Sequence, residues 1–147
     1  MRLTTLLLLA LTLAVAAACG GDNGPVSGTS DAGGVCEANP DPAPFDLVQV
    51  DEPEPEARIE SPLTVTGRIA AFEAQFWVSV FDKGGDPIIN YPGRAQAGQE
   101  LSPFEETVPF TVPEDTPACL WVYERSARDG LPIHVVQIPL TLVPTEE

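Results

Sequence analysis

The side chains that could do chemistry are few. His134 is the single histidine of the chain, and a catalytic triad would require it to face a serine and a carboxylate at once. Its neighbours Ile133 and Val135 place it at the start of a strand, where packing or solvent contact is the simpler role. The chain has no Gly-x-Ser-x-Gly elbow, no glycine-rich phosphate loop ahead of a helix and no His or Cys pair at metal-ligand spacing. It is therefore expected to be a non-enzyme that needs no cofactor and turns over no small-molecule substrate. Oxygen ligands for calcium could gather at EPEPE (Glu52 to Glu56) with Asp51 and Glu60, or at DKGGD (Asp82 to Asp86). Neither stretch has the Asp, Asn and Gly order of a calcium-binding loop, so both read as solvated turns.

Three cysteines carry more information. The run from Leu3 to Ala18, after Arg2, is apolar but short for a membrane span, which is the form of a secretory signal. It closes on AAAC, Ala16 to Cys19, and this tetrad resembles the lipobox of bacterial lipoproteins. That resemblance implies a signal peptide over 1–18, cleavage after Ala18 and acylation of Cys19, which anchors a protein to the membrane without spanning it. The competing reading is ordinary signal cleavage with Cys19 left as a thiol. With Cys19 acylated, Cys36 and Cys119 remain, and in an exported protein such a pair tends to be bonded. Whether their Cα atoms come within reach depends on the fold.

Those groups must be positioned by the elements around them. Residues 19–44 comprise the lipidated cysteine and a Gly, Pro, Ser and Asp-rich stretch with little to bury, expected to be a tether. From 45 to 147 the apolar pattern has period two almost throughout, with Pro and Gly marking turns. Strands are expected at Phe45 to Val50, Leu63 to Ala70, Gln75 to Asp82, Ile88 to Arg94, Phe104 to Val112, Cys119 to Glu124 and Ile133 to Val143. Pro139 marks the last of these as an edge or a bulged strand. The fold class is all-β, an immunoglobulin-like β-sandwich of about seven strands. The formal net charge of -15 repels nucleic acid and anionic lipid headgroups, so no nucleic-acid partner is expected.

Ser61-Pro62, Val65 to Gly67, Phe72-Glu73, Asp82 with Gly84, Val122 to Glu124, Ser126, Asp129-Gly130 and Ile138 to Leu140 occur in an order that resembles the bacterial spore germination immunoglobulin-like domain. The resemblance covers about Phe45 to Val143. It implies an extracytoplasmic module of the kind found at the C-terminal end of bacterial lipoproteins, sometimes behind a sporulation and germination domain for which this chain has no room. It implies no catalytic residues. The residues themselves predict a close backbone approach or bulge at Gly67, a hairpin at Asp82 to Gly85, a tight turn at Asp129-Gly130, and a structural Glu73 that accepts backbone amides at a strand crossing.

In FEAQFWVSVFD, Phe72 to Asp82, one strand face is Phe76, Val78 and Val80 and the other is Trp77, Ser79 and Phe81. The first is assigned to the core. Leu120 and Val122 divide in the same way from Cys119, Trp121 and Tyr123. In immunoglobulin order the two strands are neighbours, so Trp77, Phe81, Trp121 and Tyr123 share an outer face that is a candidate partner surface. Alternatively a tether pinned by Cys36 to Cys119 covers that face, or the rings pack on one another. The expected role is a lipid-anchored binding or structural module on the extracytoplasmic side of the cell membrane, with an envelope protein as partner. The alternative is a modulator or inhibitor of an envelope enzyme such as a protease, offering the segment from Tyr91 to Pro103 as its loop.

Overall fold

The structure, a computed structural model, describes residues 34–145. The expected signal peptide, Cys19 and the first part of the expected tether lie outside the described residues. Eight strands follow in chain order: β1 (Val48–Glu52), β2 (Arg58–Ile59), β3 (Leu63–Ile69), β4 (Gln75–Asp82), β5 (Pro87–Arg94), β6 (Ser102–Val108), β7 (Thr116–Arg125) and β8 (Pro132–Leu142). A single turn of 3-10 helix, Phe72–Ala74, leads into β4. They form a three-stranded sheet ordered β1-β3-β6 and a five-stranded sheet ordered β2-β8-β7-β4-β5. The all-β sandwich read from the alternation is therefore the fold.

Alternation decides which side chains meet between the sheets. Leu63, Val65 and Ile69 of β3 are fully buried against Phe76, Val78 and Val80 of β4 and Leu120 and Val122 of β7, all in one core cluster. Phe76 and Phe104 span the two sheets with ring centroids 4.6 Å apart. β4 and β7 are antiparallel neighbours, with Trp77 opposite Tyr123 and Phe81 opposite Cys119, as the sequence implied.

The boundaries differ where local chemistry intervenes. Phe45 to Leu47 is a turn, because the Leu47 and Val48 amides donate back to the Pro44 carbonyl, so β1 starts at Val48. β6 begins at Ser102 and stops at Val108, before Pro109. The two-residue β2 pairs in parallel with the end of β8. Between that pairing and the bridge from Pro42 to Val135, the outer side of β8 carries no named strand among the described residues. Pro139 lies in that gap, where its missing N–H leaves no ladder bond unmade.

Two turns follow the chemistry of their residues. Asp82 Oδ1 accepts from the Gly84 and Asp86 amides at 2.8 and 2.9 Å, and Gly85 takes φ +81°. Near the start of β8, Gly130 has φ +75°. The Ser126 hydroxyl, the Leu131 amide and the Arg128 guanidinium hold the Asp129 carboxyl below its usual range.

Gly67 is the tightest point of the small sheet. A Cβ there would stand 3.0 Å from the Phe104 ring and would overlap the Gln49 carbonyl oxygen outright. Backbone cannot step aside as a flexible side chain can. Gly67→Ala is expected to destabilise the domain by roughly 3 kcal/mol, or to prevent folding, read from urea denaturation. A second expectation concerns the Cys36–Cys119 disulfide, whose sequence separation is 83. Its reduction removes a long covalent loop, so the unfolding midpoint of the reduced protein should fall by an amount equivalent to roughly 2–4 kcal/mol.

Candidate functional site

The outer face of the five-stranded sheet is occupied. Cys36 is bonded to Cys119, with Cα atoms 5.1 Å apart. From there the chain returns to β8, where Asn39 Nδ2 donates to the Val135 carbonyl at 2.8 Å. Backbone bonds between Asp41, Ala43 and Val135 complete a short parallel pairing. The end of the expected tether is thus part of the folded body.

The candidate partner surface divides accordingly. Tyr123 has the expected orientation but is only 4% exposed, which removes it from any free surface. Its hydroxyl lies 3.2 Å from Ser79 Oγ, and Ser79 donates in turn to Asn90 Oδ1 at 3.1 Å. Trp77, Phe81 and Trp121 are half-buried. Phe81 and Trp121 pack edge to face at 5.1 Å, Trp121 and Tyr123 at 6.1 Å, and the Arg125 guanidinium covers the Trp77 ring at 3.7 Å. Cross-strand packing therefore satisfies much of this aromatic surface, and the disulfide occupies the position of Cys119 beside it.

The segment from Tyr91 to Pro103 is not a projecting loop. Its first part belongs to β5, and Ser102 and Pro103 belong to β6. The connection between them is tied down, since the Ala95, Gln96 and Gln99 amides donate to the Ala74, Pro103 and Ala71 carbonyls, and Ser102 Oγ bonds both backbone groups of Ala97.

The polar centre lies at the end of the sandwich where β7 stops and β8 starts. Glu124 shares the core-facing parity of Leu120 and Val122, and is only 7% exposed. Both of its oxygens are satisfied: Oε2 accepts from the Phe72 amide at 2.8 Å, and Oε1 lies 3.0 Å from His134 Nδ1. The role expected of Glu73 therefore belongs to Glu124. Glu73 is exposed and holds φ +55° in the turn before β4. A register shift between β7 and β8 at Val122 and Glu124 places one extra residue on β8. His134 sits in that bulge with φ +52°, which turns its ring toward Glu124. Its own amide donates to Asp41 Oδ2 at 3.0 Å.

Above this pair opens a cleft of about 410 Å³. Leu47, Ala70, Phe72 and Ile133 give it apolar walls, and Gln99, Glu124, Arg125 and His134 provide its polar groups. Sequence reading passed over Glu124, although its place two residues beyond Val122 carried the signal: a carboxylate at a core position needs partners. Among the described residues no serine or cysteine is hydrogen-bonded to the His134 ring, and no group of three or more His, Cys, Asp or Glu side chains could hold a metal ion. The arrangement is a structural clamp beside an open cleft, and it lacks a nucleophile.

Comparison with known proteins adds one match. A sequence model described as the immunoglobulin-like domain of bacterial spore germination matches residues 47–131. The match runs from the residue before β1 to the residue before β8. No curated protein and no solved structure matches.

If Glu124 is a clamp, its removal leaves the Phe72 amide without its partner. Glu124→Ala should cost roughly 2–3 kcal/mol in chemical denaturation, whereas Glu73→Ala on the exposed turn should stay within about 0.5 kcal/mol. Equal effects would assign the clamp wrongly.

Proposed function

The chain belongs to the family of immunoglobulin-like domains of bacterial spore germination, and from that premise we propose that it is a lipid-anchored binding or structural module on the extracytoplasmic side of the bacterial cell membrane, without catalytic activity. The observation that carries this reading is the pairing of AAAC, Ala16 to Cys19, with the Cys36–Cys119 disulfide. A disulfide suits an oxidising compartment, and the lipobox-like tetrad supplies a means of attachment there. No helix among the described residues is long and apolar enough to cross a membrane, so acylation is the attachment that the motif supports. Full extension between Cys19 and Cys36 would span at most about 60 Å, which sets how far the domain can stand from its anchor.

The site chemistry favours binding over catalysis. Glu124 is held on both oxygens, and the His134 ring is turned to it rather than to a nucleophile. Binding needs a surface and a fixed scaffold, and a rigid sandwich carrying an apolar cleft provides both.

Anchoring is tested by fractionation of cells producing the wild type or Cys19→Ser. Wild-type protein should partition with membranes and enter the detergent phase, and Cys19→Ser should appear in the aqueous phase. Identical partitioning of the two would refute the anchor.

A further inference from the structure

We propose that the cleft beside Glu124 and His134 is a docking site for an extended peptide segment of a partner protein, one that presents an aromatic or long aliphatic anchor flanked by Lys or Arg. The inference deepens the binding-module reading and rests on it.

Apolar exposure is concentrated at this end of the sandwich. Phe72, in the cleft wall, is 60% exposed; Phe45, two residues before Leu47, is 79% exposed; and Leu131, two residues before Ile133, is 62% exposed. These three are among only four large hydrophobic residues that the described chain leaves open. The fourth, Tyr91, lies elsewhere on β5, so the grouping of Phe72 with two residues that adjoin the cleft wall in the chain marks a surface meant to be covered. A volume of about 410 Å³ accommodates one large side chain with part of its backbone.

Charge selects the occupant. Asp46 follows Phe45, Glu73 follows Phe72, Glu100 follows Gln99 of the cleft wall, and Asp129 lies two residues before Leu131. All four are exposed, so carboxylates alternate with the apolar rim. Of the cations at this end, Arg125 itself lines the cleft and lies over Trp77, Arg128 is bonded to Asp129, and Arg68, two residues before Ala70 of the wall, is held to the Leu101 carbonyl. Asp46, Glu73 and Glu100 are thus the carboxylates here that make no ion pair among the described residues. An apolar anchor between basic residues complements this pattern, and an acidic peptide is repelled by it.

Hydrogen bonding favours a peptide backbone. With Nδ1 facing the Glu124 carboxylate, the His134 ring has Nε2 as its remaining polar atom, and among the described residues Nε2 makes no hydrogen bond. A peptide backbone offers an N–H and a C=O in each residue and so can meet that nitrogen as donor or as acceptor. The backbone around the cleft is also held in an uncommon form. Glu73, Ala74, Gln99 and His134 all have positive φ without being glycine, and they account for four of the five such residues described. Strain of this kind persists where the surroundings fix it, and it gathers at ligand clamps.

The test is a display selection of random dodecapeptides on the full-length Cys19→Ser protein in the absence of membrane, so that failure of the anchor and failure of the cleft are read separately. Two surface variants accompany it, Phe72→Ser and Ala127→Trp. Both positions are exposed, and the second fills the cleft. Selected peptides should share an aromatic or long aliphatic residue between Lys or Arg. Synthetic copies should lose about tenfold in affinity on both variants and weaken as salt is raised, with the variants' melting curves matching the parent's. Peptides that bind parent and variants alike, an acidic consensus, or no enrichment would overturn the proposal. A dimer seen in sedimentation and abolished by both variants would assign the cleft to a second copy and overturn it equally.

Discussion

Strand β7 is buried on both faces, and the rest of the molecule is arranged around that demand. Ala118, Leu120 and Val122 point into the sandwich, and Cys119 and Tyr123 point away from it yet are as hidden as the core. A two-sheet sandwich supplies only one cover for each sheet. Part of the second cover comes from the outer-face side chains themselves, since Tyr123 meets Trp121 and Ser79, and at Cys119 it comes from the segment 36–43. The disulfide fastens one end of that segment to β7, and the parallel pairing with Val135 fastens the other to β8. Val135 can receive it because alternation turns it away from the core-facing series Val136, Ile138, Leu140 and Leu142.

The β8 bulge produces the clamp. A regular ladder would continue the core parity of β8 through His134; the extra residue instead sets Ile133 opposite Glu124 and gives His134 a positive φ. That conformation is costly for a residue with a side chain, and the ring recovers part of the cost by meeting Glu124. Glu124 in turn needs partners because its parity buries it. One ring nitrogen and one backbone amide, from opposite sides, satisfy a carboxylate that the core would otherwise reject.

How much of this was legible in the sequence follows from the range of each interaction. Period-two alternation is local, so the sheet faces of β3, β4 and β7 and the neighbouring of β4 with β7 were readable from Leu63, Val78 and Leu120 and their spacing. Turns were readable for the same reason, since Asp82 and Gly85 act within five residues. The clamp was not, because Glu124 and Phe72 are 52 positions apart and the bulge that aims His134 has no residue signature. Glu73 attracted the role through its place beside Phe72, yet a residue at φ +55° in an exposed turn points its carboxylate at water. The aromatic face was half readable. Its parity was right, while its coverage depended on where residues 36–43 run, and only the pairing of Cys36 with Cys119 fixes that.

One chain of hydrogen bonds connects these parts. Asp41 accepts from the His134 amide, the His134 ring meets Glu124, and Glu124 accepts from Phe72. The segment that leads toward the proposed anchor is therefore bonded through three side chains to the wall of the proposed docking cleft. Any pull along the chain from the membrane side would reach the disulfide first, at β7, before it reached Asp41. The covalent bond thus carries the load, and the weaker hydrogen bonds that shape the cleft stay isolated from it. For the proposed role of holding a partner while tethered, placing Cys36 ahead of Asp41 in the chain supplies that separation.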